Sequence, residues 1–235
     1  MKPFRILAFL ALAPIAISCY KHEPLNYADW YPPVDNSELV DESEGLMIMS
    51  SNVRFYSARS KKDDPDTGNR DWENRKVGYF KMINTMQPDV FGVQEAENIQ
   101  LQHIRENCPG YSYVGVGRND GATKGESTAI FYKNDVLEVV DWGTKWASST
   151  PDVIGSYFVE NEDRQPRTST WAIFEERATG KRFFQINVHT SLYEASQAKE
   201  IQLIADIVKE TGAEIVLSST WRVDWDENPD LCGAD

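Results

Sequence analysis

The stretch Gln87-Pro88-Asp89-Val90-Phe91-Gly92-Val93-Gln94-Glu95 decides how the rest of the chain is read. Pro88 stops the helix before it, because proline lacks an amide hydrogen and its ring collides with the preceding turn. Asp89 to Gln94 then reads as a strand that closes on a carboxylate, Glu95. Upstream, Leu46-Met47-Ile48-Met49 is a short apolar run passing into Ser50-Ser51-Asn52, the pattern of a buried strand ending in small polar residues. Between the two, Trp72, Val77, Phe80, Ile83 and Met86 recur at spacings of three to five, with Asp71 and Glu73 in the first turn. That pattern predicts an amphipathic helix over 71–86.

Working downstream, a short helix is expected at 98–106. Strands follow at 111–115, 128–132, 136–141, 170–175 and 183–189. A helix over 194–210 places Ala198, Ile201, Ala205 and Val208 on one face, and 214–218 reads as a last apolar strand. Many strands with few helices and short connections predict an α+β layered sandwich, with paired sheets carrying helices outside.

The chain has 235 residues, 24 basic against 37 acidic, a formal charge of -13, and 41% hydrophobic residues. This is the composition of a globular domain rather than an acidic disordered tail. Three cysteines exclude a disulfide-stapled miniprotein. The acidity argues against a protein that holds long nucleic acid by charge alone.

The first segment reads as separate from the working domain. Lys2 and Arg5 precede an apolar run from Ile6 to Ile17, which meets Ser18-Cys19. These are secretory signal features, and the run is short for a membrane span. Ala16-Ile17-Ser18-Cys19 resembles a bacterial lipobox, so residues 1–18 are expected to be removed and Cys19 lipidated. Plain secretion is the alternative. Residues 19–45 carry Pro24, Pro32, Pro33 and scattered acids, a tether leading to a domain over 46–235. Cys108 and Cys232 could form a bridge in an oxidising compartment or remain two thiols.

The chemistry-bearing residues stand at strand ends: Asn52, Gln94-Glu95 and Asn187-Val188-His189. A carboxylate there suits Mg²⁺, which takes hard oxygen ligands and keeps several waters. A histidine across a cleft can bind a phosphate oxygen or move a proton. Singly, each has a bland reading: a lone Glu after a strand is more often a solvated end, and a lone His more often completes a local hydrogen bond.

In order, they carry more. The runs Met49–Arg54, Asn69–Lys76 and Gln87–Glu95 are followed by Gly115-Val116-Gly117-Arg118-Asn119-Asp120-Gly121 and Gly125-Glu126. Ala129–Tyr132, Pro166-Arg167, Thr170-Trp171-Ala172 and Asn187-Val188-His189 come next. Together, over roughly 46–190, they resemble the endonuclease/exonuclease/phosphatase superfamily, in its bacterial secreted branch. The resemblance implies a four-layered α/β sandwich of the deoxyribonuclease-I-like kind and Mg²⁺- or Mn²⁺-dependent phosphoester hydrolysis. It implies that Glu95 holds the metal, that Asn52 supports the metal or the attacking water, and that His189 hydrogen-bonds the scissile phosphate. Arg118 and Arg167 become phosphate-facing charges, and Asp120 and Glu126 line the substrate cleft.

The pattern then changes. Family members end a later strand in Gly-Asp-x-Asn, whereas here Ser218-Ser219-Thr220-Trp221 follows Leu217, with Ser219 at the Asp position and Trp221 at the Asn position. The family's closing strands and terminal Asp-His pair are not met before Asp235, and the histidine is followed by Thr190-Ser191 rather than Leu-Asp. The expectation is therefore a domain incomplete after about residue 217. It would be an exported hydrolase of phosphodiesterase, nuclease or phosphatase type with an impaired or rearranged site. The alternatives are an inactive relic, a binder of phosphorylated ligands, or a surface interaction protein on the same scaffold. Expected partners are a phosphorylated small molecule, a lipid headgroup or nucleic acid. The membrane is reached through the lipid anchor in the cell envelope, and the protein is expected to act as a monomer.

Overall fold

In the computed structural model, residues 45–62 and 65–211 are described, with side chains up to 206. The expected leader, Cys19, the expected tether up to residue 44, the strand expected at 214–218, Ser219, Trp221 and Cys232 lie outside the described residues. From Leu46 onward, the described residues belong to one compact unit.

Strand β1 (Ile48–Asn52) leads through two short 3-10 turns (Tyr56–Ser60 and Gly68–Arg70) to helix α1 (Trp72–Met86), then to β2 (Val90–Gln94). β1 and β2 pair in parallel, so α1 is the crossover that a parallel pair requires. Asp71 caps α1 by accepting from the Glu73 amide at 3.0 Å. Gln87 ends it in the left-handed region, φ 51°, with its amide on the Ile83 carbonyl at 2.8 Å, one residue ahead of Pro88.

β2 runs on into β3 (Ala96–Glu97), then α2 (Asn98–Asn107), β4 (Tyr111–Val114), β5 (Glu126–Ser127) and β6 (Ile130–Lys133). The first sheet has the order β1-β2-β6-β4, and β3 pairs with β5. β2 is buried at every position, which explains why Val90–Val93 shows no alternation. On one face Phe91, Val93 and Phe131 meet Trp72, Phe80 and Ile83 of α1 and Leu101 and Ile104 of α2. On the other, Val90, Val114 and Ile130 meet Leu137, Ala172 and Phe174 of a second sheet. That sheet is β7 (Leu137–Trp146), β8 (Thr168–Glu176) and β9 (Arg182–Val188), antiparallel throughout. Helix α3 (Glu194–Thr211) follows β9. The architecture is α+β with two packed sheets, as expected.

Three expectations need correction. β1 ends at Asn52 as expected but begins at Ile48 rather than Leu46, and it is exposed at Ile48 and only half-buried beyond, because it lies at the edge of the sheet formed by the described residues. β7 reaches Trp146 rather than stopping at 141; its pairing with β8 slips between Val139 and Asp141 and then resumes to Trp146. The apolar helix faces are also only partly buried. α1 buries Trp72, Phe80 and Ile83 but leaves Val77 67% and Met86 47% exposed. On α3, Ala198, Ile201 and Ala205 are exposed while Ser196 and Glu200 are buried. Hydrogen bonding to a neighbouring loop, described below, sets the inward face of α3 where periodicity had pointed to alanines.

Candidate active site

The register of β1 on β2 ends both strands together, with Asn52 opposite Gln94. The next residue, Glu95, takes the left-handed conformation at φ 61°, which costs a residue with a Cβ about 1–2 kcal/mol. Such conformations persist where the surroundings fix them. Here Asn52 Nδ2 donates to Glu95 Oε1 at 2.8 Å, and the Phe55 amide donates to Oε2 at 3.3 Å. Asn52 Oδ1 itself accepts from the Arg54 amide at 2.8 Å, which sets the orientation of the carboxamide. Asn52, expected to support the metal or the attacking water, donates its N–H to Glu95 and orients that carboxylate.

His189 follows the last residue of β9 and reaches the same place from the second sheet. Its Nε2 lies 3.5 Å from Glu95 Oε1. Two residues earlier, Asn187 joins the sheets beneath the pair. Its Nδ2 donates to the Val93 and Ala129 carbonyls at 2.8 and 2.9 Å, and its Oδ1 accepts from Gln94 Nε2 at 2.6 Å. Gly92 makes room for it: a Cβ there would stand 2.7 Å from Asn187 Cγ. A second link between the sheets runs through hydroxyls, Thr128 Oγ1 lying 3.1 Å from Thr168 Oγ1 and 3.2 Å from Thr170 Oγ1.

Glu95 and His189 share a cleft with Arg118, Glu126, Ser127, Thr128, Pro166 and Arg167. The cleft is half open to solvent, and its volume of about 10 Å³ is room for one water molecule. A larger guest would sit at the mouth, where Glu95 and His189 retain 12% and 25% side-chain exposure. Arg118 and Glu126 form a two-pronged pair at 3.0 and 2.9 Å. Burial pushes the Glu126 carboxyl above the usual range, Arg118 pulls it back, and the nearby Glu95 adds to the rise. Burial likewise lowers Arg118. The pair remains ionic, since a guanidinium keeps its proton and the contact is bidentate. Arg167 holds Asp163 at 3.1 Å. The Nε atoms of Arg118 and Arg167 are both buried without a hydrogen-bond partner among the described residues.

Five of the expected residues, Glu95, His189, Arg118, Arg167 and Glu126, therefore meet in one cleft, with Asn52 bonded to Glu95. Asp120 is not among the lining residues. Its Oδ1 accepts the amides of Ala122 and Lys124, both at 2.9 Å, and these backbone bonds lower its pKa. It shapes its own loop. Gln100 was missed: fully buried, it accepts from the Tyr56 and Glu97 amides at 3.0 Å and donates to the Arg54 carbonyl at 2.8 Å, fixing the backbone beside Glu95. The Glu97-x-x-Gln100 spacing of a capping box was the available signal.

The donor set can be tested against a divalent ion. No cluster of three His, Cys, Asp or Glu stands close enough for an all-protein cage among the described residues. Mg²⁺ does not require one: it commonly binds through one or two carboxylates, with water and substrate phosphate completing the shell. Glu95 fits, being a hard oxygen donor at the mouth of the cleft whose Oε2 receives, among the described residues, only the long Phe55 contact.

No family model matches the chain. Among solved structures it is similar to an endonuclease/exonuclease/phosphatase from Bacteroides vulgatus, at 31% identity and TM-score 0.65, covering 72% of this chain and 62% of that one. It is also similar to a mannosyl-6-phosphatase of Bacteroides thetaiotaomicron, at 33% identity and TM-score 0.62, covering 72% and 60%. Among curated proteins, an uncharacterized protein of Acanthamoeba polyphaga mimivirus is 26% identical over 160 residues, 65% of this chain and 60% of that protein. The chain thus spans about three-fifths of the length of these relatives. Sequence motifs, sheet topology and these likenesses agree: the chain belongs to the endonuclease/exonuclease/phosphatase superfamily.

Proposed function

We propose that the protein is a Mg²⁺- or Mn²⁺-dependent phosphoester hydrolase acting on a phosphorylated small molecule. The observation that carries this reading is the convergence of Glu95 and His189 at 3.5 Å, from two different sheets, in a cleft walled by Arg118 and Arg167. Glu95 would hold the divalent ion, which when bound would supply Lewis-acid charge at the phosphoryl oxygens. His189 donates a hydrogen bond to a phosphoryl oxygen as negative charge grows there. Arg118 and Arg167 stand behind it, each already paired with a carboxylate, Glu126 and Asp163, and Asn52 keeps Glu95 aimed. Two features favour a small substrate: the net charge of -13 and the likeness to a mannosyl-6-phosphatase.

Purified full-length protein is expected to release phosphate from p-nitrophenyl phosphate or mannose 6-phosphate with Mg²⁺ or Mn²⁺. Bis(p-nitrophenyl) phosphate serves as the diester probe. Turnover no greater than that of Glu95→Ala on all three would overturn the enzyme reading. A second reading, binding of phosphorylated ligands without turnover, is favoured by Ser219 and Trp221 at positions where the family pattern has Asp and Asn. In that case Mg²⁺ together with inorganic phosphate raises the Tm of the wild type and not of Glu95→Ala, with no turnover in either. Export and anchoring through Cys19 belong to the same proposal. Cys19→Ser is expected to move the protein from the membrane to the soluble fraction.

A further inference from the structure

α3 carries a carboxylate in an unusual setting. Glu200 is 3% exposed, and its contacts among the described residues are two neutral donors. The Ser191 amide donates to Oε2 at 2.8 Å and the Ser196 hydroxyl to Oε1 at 2.7 Å. Ser191 and Ser196 are themselves almost fully buried. An ionised carboxylate is costly to bury unless hydrogen bonds replace its water, so a glutamate at this point fixes whatever donates to it. One of the two donors, the Ser191 amide, belongs to the turn directly after His189; the other is on α3 itself.

The rest of that turn is tied to the same point. Gln197 Nε2 donates to the Ser191 carbonyl at 2.6 Å, and the Tyr193 amide donates to Ser191 Oγ at 3.1 Å. Ser191 Oγ donates to Asn161 Oδ1 at 2.7 Å. Asn161, 1% exposed, donates from Nδ2 to the Gln165 carbonyl, two residues before Arg167. One buried network thus runs from α3 to the loops carrying His189 and Arg167, both of which line the cleft.

We propose that Glu200 is a positioning residue: by holding Ser191 it sets the stance of the His189 imidazole toward Glu95. The proposal rests on the reading of His189 as a working group, but its test does not require turnover. The chain has three histidines, so the ring ¹H–¹³C signals of His189 can be assigned, with His103 as internal control. In Glu200→Ala the His189 signal is expected to shift or broaden and the Ser191 amide to exchange faster, while His103 and the amides of β2 are unchanged. Glu200→Gln, whose carboxamide oxygen can still accept from Ser191, is expected to restore the wild-type signals. Glu200→Asp keeps the charge but shortens the reach by one methylene. It should give a smaller displacement of the same sign, and it replaces the alanine variant if that one does not fold.

Where the wild type turns over p-nitrophenyl phosphate, Glu200→Ala is expected to lower kcat about 10–100-fold, the range for groups supporting an active-site ligand, with KM changed less than kcat. An unmoved His189 signal and an unchanged Ser191 exchange rate in the folded Ala or Asp variant would overturn the proposal. A moved signal in a protein whose wild type has no turnover leaves it standing and removes only the enzyme reading.

Discussion

The two walls of the cleft are supported by different chemistry. On the Glu95 side, charge holds the backbone. Arg54, at φ 52°, grips the buried Asp66 through Nε and Nη2, and Arg70 approaches the same carboxylate at 3.4 Å. Arg75 donates to the Val53 carbonyl at 3.0 Å, and Glu97 accepts both the amide and the hydroxyl of Ser57. On the His189 side the supports are mostly neutral amides and hydroxyls, Asn187, Thr128, Thr168, Thr170, Ser191 and Asn161, joined by the carboxylates of Glu200 and of Asp163 on Arg167. A charged scaffold answers to pH; a neutral one answers to volume and to single lost bonds. Each wall should therefore fail under a different perturbation.

The largest expected effect is on the chemistry that both walls serve. His189→Ala should lower kcat/KM for the aryl phosphate by about 10²–10⁴-fold, the range for loss of a positioned proton donor, with little change in Tm. Equal loss of Tm and of activity would mean that His189 is part of the neutral scaffold instead.

Next comes the charged wall. Burial pushes the Asp66 carboxyl up, but the hydrogen bond and charge of Arg54, with Arg70 and Arg75 behind it, hold it below its ordinary 3.8. A depressed carboxylate contributes stability that is present above its unfolded value and is lost as pH falls through the folded one. Asp66→Asn should thus cost about 3–5 kcal/mol at neutral pH, the range for breaking a buried pair by removing one partner. The difference from wild type should shrink as the pH drops below about 4. Urea unfolding at pH 7 and pH 3 measures both, and a pH-independent difference would mean that the wall is held by shape rather than charge.

The contrast also explains what could be read from the sequence. Glu95 and Asn52 were legible because each ends a strand, and parallel strands in register deliver their ends to one place. His189 was legible as the end of a later strand, and Arg118 with Glu126 through the motifs around them. Asn187 was visible in its motif, but its work was not: it bonds residues 93, 94 and 129, far away in the chain. Glu200 had no signal at all. A helix pattern weighs apolar residues, and on α3 those are Ala198, Ile201 and Ala205, which the fold leaves outside. Polar burial depends on which donors a neighbouring loop presents, and periodicity carries no information about that.

The smallest effects probe how tightly the neutral wall is packed, and two glycines allow the comparison within one protein. An alanine Cβ at Gly92 would meet Asn187 Cγ and Oδ1 at 2.7 Å, closer than carbon and oxygen tolerate without bonding. Asn187 would have to withdraw from the Val93 and Ala129 carbonyls, leaving buried groups unpaired at the joint between the sheets. Gly92→Ala is therefore expected to destabilise by about 1–3 kcal/mol, and to reduce turnover beyond that because His189 lies two residues from the displaced side chain. Gly78, inside α1, has nothing within 4 Å of an added Cβ. There Gly78→Ala should stabilise by about 0.5–1 kcal/mol through the lower entropy of the unfolded chain, with turnover unchanged. Urea midpoints at equal m-values decide both. If the two alanines gave the same sign, Asn187 would be free to move, and the joint between the sheets would not be what holds His189 opposite Glu95.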